Sequence, residues 1–381
     1  MVKQREILIS QPDTGEEEWQ ALREPLTTGW LTQGPKVAAF QRAFAERHGV
    51  KYAIATSSCT TALHLILAAL GIRSGDEVIA PAFTWVATAN AVLYCGAKPV
   101  FVDVDRTTFN MDIHQIPPKI NQRTKAIIPV HLFGLCADMD ALANTASGIC
   151  LIEDAACASG STYKGRSAGS LGLAGAFSFH PRKSITTGEG GMITTNDEAL
   201  AKKIDVLRNH GASVSEELRH THLHPFILPD FDLLGFNYRM TDLQAAVGLV
   251  QLSKLDRYIE ERQKWAEFYT KELSEIDWLH TPTVPKNHKH GWQSYVCLID
   301  EKKAPMSRNR IMEVLQSKGI STRPGTHAVH MLGLYRKNFG FKQDDFPVAR
   351  DCDRYSLAIP LHNRMTEEDF HYVIRAIKGL G

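Results

Sequence analysis

Lys183 and the acidic pair Glu153-Asp154 are the residues of this 381-residue chain whose types and spacing invite chemistry. Lys183 stands in the run SFHPRKSITTGEGG, residues 178 to 191. A lysine amine is a poor nucleophile while protonated, so a working lysine is withdrawn from water or set near other positive charge, which lowers its pKa. Arg182 is its neighbour and is expected to act in that sense. The apolar GAFSFH, residues 175 to 180, predicts a buried strand, and SITTGEGG predicts a turn into a second strand, GMITT. Lys183 is thereby expected at a strand end, where side chains reach a pocket. CLIEDAACASG opens as an apolar strand and closes in small residues, which puts Asp154 at the end of another strand. A lysine so held can anchor an aldehyde cofactor covalently. Pyridoxal phosphate needs both groups, the amine for a Schiff base and a carboxylate on its ring nitrogen to keep the ring an electron sink. The plainer alternatives are a surface lysine and a helix N-cap aspartate.

A phosphate seat is legible upstream. YAIATSSCTTALHLILAAL passes from an alternating strand through Ser, Ser, Cys and Thr into an apolar helical run, so a helix is expected to open near Thr60. Unpaired amides and the positive end of the helix dipole favour an anion there, and the Thr60 hydroxyl adds a donor. Thr60 and Thr61 as ordinary caps is the competing reading. Trp85, in APAFTWVATANAV, falls at the start of a second helix; a tryptophan of the core is its plain alternative. Ser178 precedes Lys183 by five positions, and Asn237 sits in GFNYRMTD ahead of the apolar helix LQAAVGLVQL, where asparagine is also a common turn residue.

Taken in order, GWLTQGPKVAAFQRAFAERHG, TSSCTTALHLILAALGIRSGDEVIAPAFTWVATANAV, KPVFVDVD, HLFGLCADMDAL, EDAACASG, FSFHPRKSITTGEGGMITTND and GFNYRMTDLQAAVGLVQL resemble the DegT-type nucleotide-sugar aminotransferases of pyridoxal phosphate fold type I. The likeness runs over nearly the whole chain. It implies that Lys183 anchors the cofactor and moves the proton, that Asp154 holds the ring nitrogen, and that Trp85 stacks on the ring. It implies that the Cys59 amide, Thr60 and Ser178 bind the phosphate, and that Asn237 reaches the phosphate of a neighbouring subunit, making a homodimer with shared sites. Two positions depart from the pattern. Cys59 replaces the usual glycine, and Cys157 stands where relatives carry glutamine or histidine bonded to the cofactor's phenolic oxygen; a thiol donates weakly. His327 and His330, in TRPGTHAVHMLGLY, are expected near the sugar or its diphosphate. The reaction implied is transfer of nitrogen, from glutamate, to a nucleotide-linked keto-6-deoxy sugar at carbon 4 or carbon 3, with pyridoxamine phosphate formed during turnover. A dehydratase on the same scaffold is the nearest alternative, but such relatives can replace the lysine with histidine. A non-catalytic regulator would keep the cofactor and transfer nothing. A nicotinamide dehydrogenase lacks support, since no GxGxxG follows a strand with an acid about twenty positions on.

The rest of the chain sets limits. Net charge is +1 with both signs interspersed, which leaves no basic footprint for nucleic acid. No apolar stretch is long enough to span a bilayer, and MVKQREILISQPD lacks a signal-peptide core. Seven scattered cysteines without a CxxC pair suggest reduced thiols in a cytoplasm. His220, His222 and His224 alternate as a strand would present them, but no fourth ligand is evident, so no metal is expected and the segment reads as an inserted, substrate-facing loop. Strand-like and helix-like segments alternate from about residue 52 to about residue 250, the pattern of an α/β three-layer sandwich with a mainly parallel sheet. The expected division is residues 1–250, an N-terminal segment and large cofactor-binding domain, and residues 251–381, a smaller α/β domain; the family resemblance implies that the N-terminal segment packs with that smaller domain or along the dimer contact.

Overall fold

In the computed structural model, which describes residues 6–212 and 230–380, seven strands form the central sheet. They are β1 (Tyr52–Thr56), β2 (Glu77–Pro81), β3 (Lys98–Val102), β4 (Thr124–Ile127), β5 (Cys150–Asp154), β6 (Ala174–Ser178) and β7 (Gly191–Thr195). Their spatial order is β1-β7-β6-β5-β4-β2-β3. Strands β6, β5, β4, β2 and β3 run parallel, and β7 is antiparallel to both β1 and β6. Such a sheet must be covered on both faces, and the strands are accordingly apolar almost throughout.

Alternate side chains on a strand point to opposite faces, and the sequence obeys that period in every strand of the sheet's centre. Ala53, Ala55, Ile79, Ile127, Leu151, Phe177 and Met192 pack on one side with helices α1 (Pro35–His48) and the start of a long helix over residues 255–273. Ile54, Val78, Ala126, Ile152, Ala176 and Ile193 face the other side, against α2 (Cys59–Ala69), α3 (Ala87–Tyr94) and α4 (Glu198–Arg208). This is the three-layer α/β fold with a mostly parallel sheet that the alternation of elements implied.

Helices α5 (Asp242–Ser253) and α6 (Leu255–Leu273) follow, and α6 gives Leu255, Tyr258 and Ile259 to the large core but Ala266, Tyr269 and Leu273 to a second one. The second core surrounds an antiparallel sheet of β8 (Leu279–His280), β9 (Tyr295–Ile299) and β10 (Ser356–Ile359), with α7 (Arg308–Ser317) and α8 (Glu367–Lys378). Ile7 is buried in that same core, its amide donating to the Gly319 carbonyl at 2.8 Å. Ile7 therefore packs with the second lobe, while Asp13 and Glu18 farther along the N-terminal segment are bonded to Tyr258, Gln251 and Lys254 around the junction of α5 and α6, and the two cores share a helix.

Strand β6 ends earlier than the apolar run GAFSFH. Phe179 still donates to the Gly190 carbonyl, but Pro181 has no amide to offer a ladder, and the Lys183 amide turns back onto the His180 carbonyl at 2.8 Å. Lys183 thus stands on the turn beyond the strand rather than at its last residue. The alternating His220, His222 and His224 lie outside the described residues.

Candidate active site

The phosphate seat is built where β1 delivers the chain to α2. Ser58 is the N-cap: its Oγ accepts from the Thr61 amide at 3.2 Å while the Thr61 hydroxyl accepts from the Ser58 amide at 3.0 Å. The helix therefore opens at Cys59, one residue before the expected place, and Thr61 is the threonine committed to capping. The first two amides, of Cys59 and Thr60, take no partner among the described residues, which is the arrangement that attracts an anion. Gly191 lies directly against this turn. A Cβ there would come 2.5 Å from the Ser58 carbonyl carbon and 2.7 Å from the Cys59 nitrogen, so the strand can pass only without a side chain. Ser178 pairs with Gly191 across β6 and β7 and accepts a long bond, 3.4 Å, from the His180 amide, leaving its O–H to donate elsewhere.

Lys183 is half-buried, and its Nζ donates to the Cys157 sulfur at 3.1 Å. Burial works against the ammonium charge, yet the fields of Cys157, Cys59 and Asp154 outweigh it and hold the amine above its ordinary value. The expectation that the amine would be lowered beside Arg182 is corrected: the amine is raised, and Arg182 is exposed and is not among the principal groups that set it. The same neighbourhood appears from Cys59, whose thiol is pushed up by burial and then by Asp154, with Lys183 opposing. Lysine, both cysteines and the aspartate thus converge at one place.

Asp154 ends β5 and is buried. Its Oδ2 accepts from the Thr88 hydroxyl at 2.7 Å and its Oδ1 from the Ala156 amide at 3.2 Å. Burial raises its carboxyl above the usual range, opposed by those two hydrogen bonds and by Lys183 and His131. Glu153, its neighbour in sequence, points to the other face and does different work. Its Oε1 accepts from the Leu171 and Gly172 amides, each at 2.7 Å, and its Oε2 from the Gly169 amide at 2.6 Å. His131 Nε2 completes the set at 2.8 Å; because His131 Nδ1 accepts from the Ala137 amide, the proton must sit on Nε2 and the ring donates to Glu153. Glu153 and His131 therefore frame the loops around the strand ends, and Asp154 alone of the pair faces the site.

Trp85 is 59% exposed, which disposes of the core reading and leaves a ring face free to stack. It follows the short strand Phe83–Thr84, which pairs with His327–Ala328, and its ring lies 5.7 Å from that of His327, itself exposed. His330 is not brought to this surface. It is fully buried, with Nε2 near the Gln343 carbonyl at 3.2 Å and its ring edge against Phe346. Asn237 is exposed and bridged to Asn209, and the next residue, Tyr238, accepts from the Ser57 amide beside the phosphate seat. No described contact joins Asn237 to Lys183 within the chain. Cys157 is half-buried beside the lysine. Thr88 and His131 were missed by reading residue types; both lie in segments whose motifs were noted, but a threonine in a helix and a buried histidine carry no signal of their own.

The donor set fits pyridoxal phosphate: open helix amides and a serine hydroxyl for the phosphate, a buried carboxylate for the ring nitrogen, an exposed aromatic face, and an amine whose partner is a sulfur rather than an acid. A cavity of about 290 Å³ between α1, β1 and α4, lined by Gln41, Tyr52 and Arg208, contains none of these groups. The site is an open surface at the carboxyl ends of the parallel strands, where ligands of such sheets bind.

Comparison with known proteins agrees. The model of the DegT/DnrJ/EryC1/StrS aminotransferase family matches residues 12–378. The chain is 41% identical over its full length to the spore coat polysaccharide biosynthesis protein SpsC of Bacillus subtilis, covering 99% of it. It is 40% identical to the GDP-perosamine synthase of Caulobacter vibrioides, over 97% of each chain. Spr1654 of Streptococcus pneumoniae, solved in its PMP form, superposes with a TM-score of 0.92 at 30% identity, covering 98% of both chains.

Proposed function

Because the chain belongs to the DegT/DnrJ/EryC1/StrS aminotransferase family, we propose that it moves an amino group from glutamate to carbon 4 or carbon 3 of a nucleotide-linked keto-6-deoxy sugar, in the cytoplasm, for polysaccharide assembly. The observation that carries the transfer chemistry is the Lys183 amine, held at 3.1 Å by the Cys157 sulfur in the field of Asp154. A lysine kept for surface stability would meet an acid in water, where such pairs add little. The sugar half of the reading is supported by the named activity of the Caulobacter relative and the polysaccharide role named for SpsC.

Pyridoxal phosphate, when bound, supplies a ring that draws off the electron pair left as a proton departs from the substrate carbon. The chain's residues do the remainder. The Cys59 and Thr60 amides and the Ser178 hydroxyl bind the phosphate, Asp154 keeps a proton on the ring nitrogen, and Trp85 covers one ring face and excludes water from it. Lys183 is the covalent anchor. Once an amino donor displaces it, its amine takes the proton from the substrate carbon and returns it one atom away, a general acid–base step within reach of the same position. Cys157 holds the amine while it is free. His327, beside Trp85, is the histidine available to the sugar or its diphosphate. Asn237 serves the phosphate of a second subunit in a homodimer; the exposed Phe231, Leu233 and Leu234 close to it in sequence are the kind of surface a partner covers.

The test is incubation of the purified protein with pyridoxal phosphate, glutamate and a panel of nucleotide keto-sugars, following 2-oxoglutarate and the aminated product. Release of 2-oxoglutarate that depends on a keto-sugar supports the reading. No transfer to any member of the panel sinks it.

A further inference from the structure

The buried hydroxyls of Thr84 and Thr88 belong to no part of the reaction described so far. Thr88, in α3, is 0% exposed and Thr84, in the short strand Phe83–Thr84, is 1%; their hydroxyl oxygens lie 3.0 Å apart, with Thr88 Oγ1 2.7 Å from Asp154 Oδ2. The direction of this chain follows from valence. An ionised carboxylate only accepts, so the Thr88 proton goes to Asp154; the Thr84 hydroxyl must then be the donor in the other contact. The two hydroxyls thus point in one direction toward the aspartate, and each bond in such a chain polarises the next.

We propose that Thr88 is a positioning residue for the reaction, holding Asp154 ionised and aimed at the cofactor's ring nitrogen, with Thr84 donating behind it. Burial works to protonate Asp154, and the Thr88 hydrogen bond is the largest group opposing it. A protonated Asp154 would have no charge with which to keep the ring nitrogen protonated. The geometry adds a second consequence. Thr84 is the residue before Trp85 and is paired in register with His327. The hydroxyl chain therefore ties the ring-nitrogen carboxylate to the segment that bears the stacking face, so that edge and face of the ring are addressed by one connected unit.

The proposal rests on Asp154 meeting the ring nitrogen, and the experiment separates the two. Thr88→Val keeps shape and removes the donor; Thr88→Ser keeps the donor; Asp154→Asn is the control. For each, pyridoxal phosphate affinity, the pH titration of the bound cofactor's visible absorbance, and the single-turnover rate with glutamate are measured. Thr88→Val should weaken cofactor affinity and slow the half-reaction by about tenfold to a hundredfold, the worth of one charge-assisted hydrogen bond, and should shift the absorbance titration. Thr88→Ser should restore all three. Thr84→Val should move them in the same direction but less. If Thr88→Val does not fold, Thr88→Ala against Thr88→Ser makes the same comparison. Thr88→Val with wild-type affinity, titration and rate overturns the proposal, as does a Thr88→Ser no better than Thr88→Val. Should Asp154→Asn itself prove harmless, the role given to Asp154 falls first.

Discussion

Among single residues, Lys183 combines two duties that most chemistry divides, anchoring and proton transfer, and before the cofactor binds its surroundings favour the ammonium over the neutral amine. The amine sits above its ordinary value because Cys157, Cys59 and Asp154 outweigh burial, so in the cofactor-free protein it is an ammonium held ready by a sulfur. It must lose that proton before it can bond an aldehyde. Lys183→Ala removes both duties together. Glutamate-dependent transfer should fall by about a thousandfold or more, while affinity for the phosphate end survives, since the seat at Cys59, Thr60 and Ser178 is untouched. Stopped-flow absorbance with a product assay checks both halves. A variant turning over at the wild-type rate would remove the lysine from the mechanism.

At the level of elements, the site depends on how closely β7 can approach the start of α2. Gly191 has ordinary extended backbone, so freedom of φ is not its reason. Its reason is space: an added Cβ would meet Ser58 and Cys59 backbone atoms at 2.5 to 2.7 Å, and backbone cannot rotate away as a side chain can. Gly191→Ala should therefore push the helix start outward, costing about 1–3 kcal/mol of stability by overpacking. It should also weaken pyridoxal phosphate binding more than it lowers the melting temperature would suggest. Calorimetry alongside a cofactor titration distinguishes the effects; unchanged affinity in a folded variant would show that the amides do not bear the phosphate. Glu153 illustrates the same principle by another route, since one carboxylate gathers three loop amides and a histidine and so fixes the strand ends between which Asp154 and Lys183 face each other.

The whole molecule offers two predictions. If Asn237 serves the partner's phosphate, Lys183→Ala and Asn237→Ala chains, each inactive alone, should regain activity when mixed and allowed to exchange. A mixed dimer then holds one site with both defects and one with neither. Failure to complement, with exchange verified by mass, would place Asn237 in its own chain's site or outside catalysis. The second prediction concerns acid. Burial depresses His48 and His362 to about 4 and His290 to about 3. In the unfolded chain these rings take up a proton near pH 6.5, while in the folded chain they stay neutral. The unfolded state thus binds more protons as pH falls, and stability should decline steadily from about pH 6.5 toward about pH 4. His48 by itself contributes up to about 3 kcal/mol of that loss. Thermal melts across the range should show it, and His48→Phe, which would stack on Phe44 without a titrating group, should flatten part of the slope.

The local pattern of the chain determined the layers, the strand ends bearing Asp154 and the helix start bearing Cys59 and Thr60. Period-two alternation and capping residues act over a few positions and are written in order along the chain. Motif likeness carried the cofactor and the family, which no periodicity could have supplied. What tertiary structure alone decided lies between distant segments. Thr88 and Asp154 are 66 residues apart, yet share a hydrogen bond of 2.7 Å. Trp85 stayed open to solvent as its stacking reading required, whereas His330 was buried against Phe346, because of which faces the two lobes left open rather than because of residue type. The Arg182 beside Lys183 in sequence is not among the principal groups that set its amine, whereas Cys59, far away in sequence, is. Charge acts through space and burial, and a sequence lists neighbours only along the chain.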